Sequence, residues 1–145
     1  MKNSMLFFLL VLFTYSATAQ GPIAKIKFHF DNPLKQDTSA GYAQAVLVDN
    51  ILYVSGTVAR DVTPEGITRL YSTIEKTLAY YGAGFQHVVK ENLYTTEIEA
   101  MKKHNAARKA FYKGDFPAAT WVQISRLFMA DAKLEVEVVA HLPRK

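Results

Sequence analysis

Apolar residues recur at two different periods along this chain, and the change of period marks out its elements. Between Lys25 and Phe30 they alternate, which predicts a short strand with Ile26, Phe28 and Phe30 on one face. Asn32 and Pro33 end it, and the polar stretch to Gly41 reads as a loop. Two β-rich runs follow, Tyr42 to Val48 and Ile51 to Val58, and the Asp49-Asn50 pair between them predicts a hairpin. From Ile67 the period becomes that of a helix. Ile67, Leu70, Tyr71, Ile74, Leu78 and Tyr81 share one face, and Gly82 and Gly84 supply the stop. Val88 to Thr96 reads as a strand, and Ile98 to Tyr112 as a second helix with Met101, Asn105, Arg108 and Phe111 at inward spacing. Thr120 to Leu127 and Lys133 to His141 alternate again, the latter with Leu134, Val136, Val138 and Ala140 facing one way.

Strands and helices are thus interspersed, a hairpin is present, and each helix has a single apolar face. These features together predict an α+β domain, a largely antiparallel sheet with two helices packed on one face. Val139 and Trp121 fall on the parity opposite their strands' main apolar rows. That reading leaves the second sheet face apolar as well, a face to be covered by another subunit.

The first residues change the picture of where the domain begins. Lys2 precedes an unbroken apolar run from Met5 to Phe13, and small residues at Ala17 and Ala19 suit a signal-peptidase site. A membrane-spanning helix needs about 20 apolar residues, more than this run provides. The expectation is a signal peptide over residues 1–19 and one exported domain over 20–145, periplasmic or secreted, with no membrane attachment after cleavage. The absence of cysteine excludes disulfides, thiolate metal sites and a lipid-anchored cysteine. The formal charge is +4, of which Lys2 supplies one unit. Lys102, Lys103, Arg108 and Lys109 form its one cluster, on a predicted helix, without the dense basic stripe and interleaved aromatics of a nucleic-acid surface. The four histidines, at 29, 87, 104 and 141, lack metal-ligand spacing.

Several phrases, in order, resemble the reactive intermediate deaminase (RidA, or YjgF) family. Gly41 to Val46 and Leu52 to Thr57 resemble its opening hairpin, including the Ser55-Gly56 pair. Tyr81 to Gly84, followed by His87 to Lys90, is similar to its helix–glycine–strand junction. His104 to Tyr112 resembles its second helix, Phe116 to Thr120 and Ser125 to Leu127 its next strand and exit, and Leu134 to Glu137 its closing strand. The resemblance implies a chorismate-mutase-like homotrimer that binds small molecules in clefts between subunits, with no metal and no organic cofactor. Family members with the full motif hydrolyse 2-imino acids, or their enamine tautomers, to 2-keto acids and ammonia.

The resemblance also assigns site residues. Glu135 matches the cleft carboxylate that orients or activates water, a catalytic role, and Glu137 reads as a surface or interface charge. Tyr42, Ser55, Gly56 and Asn105 match cleft-lining positions, and the Ser55-Gly56 pair also reads as a β-bulge. The decisive departure follows Pro117 and Ala118. There the family carries an arginine that grips the substrate carboxylate, and this chain carries Ala119, followed by Thr120 and Trp121. A guanidinium–carboxylate fork is strong and not reproduced by other side chains. Trp121 offers either packing or an aromatic wall to a flat ligand, and Arg60 is a candidate substitute cation. Three readings follow: a small-molecule-binding trimer with weak or absent imino-acid deaminase activity, a hydrolase of an imine or enamine lacking a free carboxylate, and a non-catalytic scaffold trimer. Family members are also linked to RNA cleavage, for which these residues supply no nuclease centre.

Overall fold

The computed structural model describes residues 21–30 and 41–143, so the expected signal segment and the loop before Gly41 lie outside the described residues. The strands are β1 (Ile26–Phe28), β2 (Ala45–Val48), β3 (Ile51–Ala59), β4 (Val88–Thr95), β5 (Ala118–Gln123) and β6 (Leu134–His141). The helices are α1 (Pro64–Tyr80), α2 (Ile98–Lys103) and α3 (Asn105–Tyr112). Six strands form one sheet in the order β1-β2-β3-β6-β4-β5. Its pairs are antiparallel except β4 with β5, which run parallel at one edge. The α+β architecture expected from the sequence is the one found.

Local chemistry explains the joints. The β2–β3 turn is the expected Asp49-Asn50 pair, and Asp49 takes the positive φ of 52° that such a tight hairpin requires. Thr63 caps α1 by accepting from the Gly66 amide at 3.1 Å, with Pro64 in the first turn where its missing N–H costs nothing. Gly82, at φ 71°, lies just beyond the helix end. Leu52, Val54, Leu93, Leu134, Val136 and Val138 line the inner sheet face against Ile67, Leu70, Tyr71, Ile74 and Leu78 of α1.

Three expectations are corrected. The second helix is broken at His104, whose φ of −102° and ψ of 14° end α2 and begin α3. The break re-aims the chain, so Met101, Arg108 and Tyr112 are the buried residues, while Asn105 and Phe111 are half-buried. Trp121 is not on the open sheet face. It pairs with Leu93, shares its side of the sheet, and packs toward the helices. Val122 and Val139 take the outer parity instead, with Val122 exposed and β5 ending at Gln123. The outer face is therefore mixed rather than apolar. Tyr53, Val58, Val122 and Val139 share it with Lys90, Asn92, Tyr94, Thr120, Glu135 and Glu137.

Candidate functional site

The structure divides the sequence-assigned residues between the two faces of the sheet. On the outer face lie Ser55, Gly56, Thr120 and Glu135, with Tyr42 exposed on the segment leading into β2. The β3–β6 register shifts between Val54 and Thr57, so Ser55 and Gly56 form a bulge opposite Glu137. That bulge has a specific consequence for Glu135. A Cβ on Gly56 would lie 1.9 Å from Glu135 Oε1 and 2.9 Å from its Cγ. Glycine at 56 is thus what lets the Glu135 carboxylate lie down over the strand. Ser55 Oγ donates to the Ala43 carbonyl at 2.7 Å and pins the segment that carries Tyr42.

The two outer-face glutamates differ in surroundings. Glu137 Oε1 accepts from Asn92 Nδ2 at 2.8 Å and Tyr94 OH at 3.3 Å. The Glu135 carboxylate makes no hydrogen bond to a described residue. Burial raises its pKa above the ordinary carboxylate range, and the nearby charge of Glu137 raises it further. A half-buried carboxyl with an elevated pKa can take and return a proton. Lys90 Nζ donates to Thr120 Oγ1 at 2.8 Å, so a cation holds Thr120 diagonally across the β4–β5 pair. Tyr53, Ser55, Lys90, Asn92, Glu137 and Val139 line a shallow cavity of about 220 Å³ on this face.

On the inner side lie Ala119 and Trp121 of β5 and Asn105 of α3, around a cluster missing from the expectations drawn from the sequence. Glu91, fully buried on β4, is the rung partner of Ala119. Its Oε2 accepts from Tyr71 OH at 2.9 Å and Tyr112 OH at 2.7 Å. Its Oε1 accepts from Arg108 Nε at 2.8 Å and Trp121 Nε1 at 3.3 Å. Burial beside this carboxylate drives both tyrosine hydroxyls well above their usual pKa, so they stay protonated donors. The Arg108 guanidinium carbon stands 4.8 Å from the Tyr112 ring centre, 5.3 Å from Trp121 and 5.9 Å from Phe116. A signal for this cluster does exist in the sequence: Glu91 is a charge on the inward parity of β4, and Arg108 lies on the inward face of its helix. Asn105 Oδ1, one turn before Arg108, is buried with no partner among the described residues.

Arg60 is salt-bridged to Asp131 beyond the end of β3, at the far end of the ladder from Ala119. Among the described residues, no group of three or more histidine or acidic side chains could hold a metal ion, and no helix is long and apolar enough to cross a membrane.

Comparison with known proteins agrees with the fold. A family model described as Endoribonuclease L-PSP matches residues 34–142. The rat 2-iminobutanoate/2-iminopropanoate deaminase is 29% identical over 108 residues, 68% of this chain and 78% of that protein. The RutC family protein UK114 of Drosophila melanogaster is 30% identical over 110 residues, 70% of this chain and 79% of that protein. Among solved structures, a Mycobacterium tuberculosis member of the YjgF/YER057c/UK114 family superposes with a TM-score of 0.73 at 20% identity, covering 82% of this chain and all of that one. The Rid-family protein YyfA of Yersinia pestis superposes with a TM-score of 0.71 at 25% identity and the same coverage.

Proposed function

We propose, for a chain that belongs to the endoribonuclease L-PSP (RidA/YjgF) family, that it binds a small molecule in clefts between the subunits of a homotrimer and has little or no activity on free 2-imino acids. The observation that carries this reading is Ala119. It stands where the resemblance expects an arginine, and within the protomer Arg60 lies beyond the end of β3, in an exposed ion pair with Asp131. Removing one partner of a charge-paired contact costs roughly 2–5 kcal/mol, about 30- to several thousand-fold in rate or affinity. The mixed outer face, with exposed Tyr53, Val58 and Val122 beside its polar residues, supports assembly through that face.

The test is imine consumption. The chain lacking residues 1–19 is mixed with freshly generated 2-iminopropanoate, with rat deaminase as positive control, the Ala119→Arg variant, and buffer. Decay with wild type should match buffer, while the variant should exceed it. Wild-type decay well above buffer would overturn the reading. A second reading, hydrolysis of an imine or enamine without a carboxylate, is favoured by the raised pKa of Glu135 over Gly56. Export belongs to the same proposal, and sequencing of the protein recovered from the cell envelope or medium should begin at Gln20.

A further inference from the structure

Six strands make a sheet wider than its helical cover. Neighbouring strands lie about 4.8 Å apart and packed helices about 8–10 Å apart, so two helices shelter roughly four strands. α1 lies against β3, and the β1–β2 margin is reached by Tyr80 and Tyr81, where that helix ends. There the Phe28 ring of β1 stands 4.4 Å from Tyr80 and 5.2 Å from Phe30, and Tyr81 OH donates to the Ile26 carbonyl at 3.2 Å. Phe28 is half-buried by these contacts, while the side chains beside it and in the lead-in to β1 project. Ile23 is 67% exposed, Ile26 59%, Tyr80 62% and Phe30 40%. The result is an apolar ledge at one edge of the domain. It lies on the helix side of the sheet, opposite the face proposed for assembly.

The charged neighbours of the ledge are mostly basic. Lys25 and Lys27 alternate with Ile26 and Phe28 along the edge strand, and Lys76 stands one turn before Tyr80 on the same flank of α1. All three lysines are exposed. Glu75 is on the other flank of α1, where it lines a cavity with Phe85 and Phe111, and Asp49 sits at the β2–β3 turn. Protruding apolar side chains do not make the groove that a bound peptide fills. They suit a surface into which side chains sink, with tyrosine at headgroup depth and lysine tips among the headgroups. The chain before the ledge points the same way. The apolar run from Met5 to Phe13 ends seven residues before Gly21, a reach of at most about 25 Å, so a membrane-held run keeps this edge close to the bilayer.

We infer that this ledge is a contact surface for an anionic lipid membrane, on which the protein rests reversibly after loss of residues 1–19. The four projecting apolar side chains enter the headgroup layer, and the three lysines meet lipid phosphates. The inference goes beyond the expectation drawn from span length, because a peripheral contact needs no spanning helix. It is independent of any chemistry in the clefts, and its test involves no imine.

The test is co-sedimentation with vesicles of equal parts phosphatidylglycerol and phosphatidylcholine, set against vesicles of phosphatidylcholine alone. The chain lacking residues 1–19 keeps every strand and helix of the fold. It should pellet with the anionic vesicles and stay in solution with the neutral ones, and added salt should weaken the association. Lys25→Gln combined with Lys76→Gln should lower partition at least ~10-fold. Ile23→Ser combined with Tyr80→Ser should lower it as well, with the fold of each variant checked by circular dichroism. Should the Tyr80 variant fail to fold, Ile23→Ser alone, outside any strand or helix, tests the apolar half. Lys102→Gln with Lys103→Gln removes the same charge from α2 and should leave partition unchanged. Absence of binding to anionic vesicles, equal binding to neutral ones, an equal loss in the Lys102 and Lys103 variant, or unweakened binding in the ledge variants would overturn the assignment. So would a lower native mass of the ledge variants without vesicles, which would make the ledge a contact between copies of this chain.

Discussion

Each face of the sheet holds a glutamate on a central strand, and the two are treated in opposite ways. Glu91, on the helix-covered face, has no solvent exposure and is met by four donors from α1, α3 and β5. Glu135, on the outer face, is half-buried, and its carboxylate makes no hydrogen bond to a described residue and lies over a glycine with a second carboxylate nearby. Burial alone therefore says little about the role of a charge. The number of donors decides whether a carboxylate is a fixed structural element or a group free to exchange protons.

The sharpest break in that contrast is Arg108→Met. It leaves Glu91 buried without its cation and should cost about 3–5 kcal/mol in urea unfolding. Adding Glu91→Gln to the same chain should recover much of the loss, since the charge no longer needs compensation. Tyr71→Phe removes one neutral donor of the four and should cost about 1–2 kcal/mol, measured the same way. Glu135→Gln should act in the other direction and by the least. With its folded pKa raised, the contribution of Glu135 to stability is full below the ordinary carboxylate range and is lost as pH rises through the folded value. Removing its charge should therefore raise the thermal midpoint by about 1–3 °C at pH 7 and leave it unchanged where both forms are neutral, near pH 3. A fall at pH 7 would mean that Glu135 is held by contacts rather than repelled.

What the sequence discloses depends on how strongly each residue's environment votes in the pattern. Leu134, Val136, Val138 and Ala140 alternate without exception, and all four are buried as read. The Ser55-Gly56 bulge is legible because a glycine inside a strand usually marks a bulge or a close backbone approach. Trp121 is placed on the wrong face by its own strand's pattern, where Val122 and Ile124 outvote it on parity, whereas the parallel register with β4 turns Trp121 inward. That register is set by the partner strand and is invisible in β5 itself. The helix break at His104 carries no glycine or proline to announce it. Glu91 and Arg108 lie 17 residues apart, and their pairing depends on how α3 crosses β4. Local periodicity does not encode that crossing.

The order of the strands has one more consequence. Among the described residues β6 is the last strand in sequence order, yet it sits inside the sheet, paired with β3 on one side and β4 on the other. Until residues 134–141 have left the ribosome, the β1–β3 and β4–β5 halves have no ladder joining them. The two-sided pairing of Leu134, Val136 and Val138 cannot begin from the N-terminus and spread. The two halves of the sheet therefore cannot join until the segment carrying β6 is available. For a protein proposed to cross a membrane before it folds, the topology itself supplies the delay.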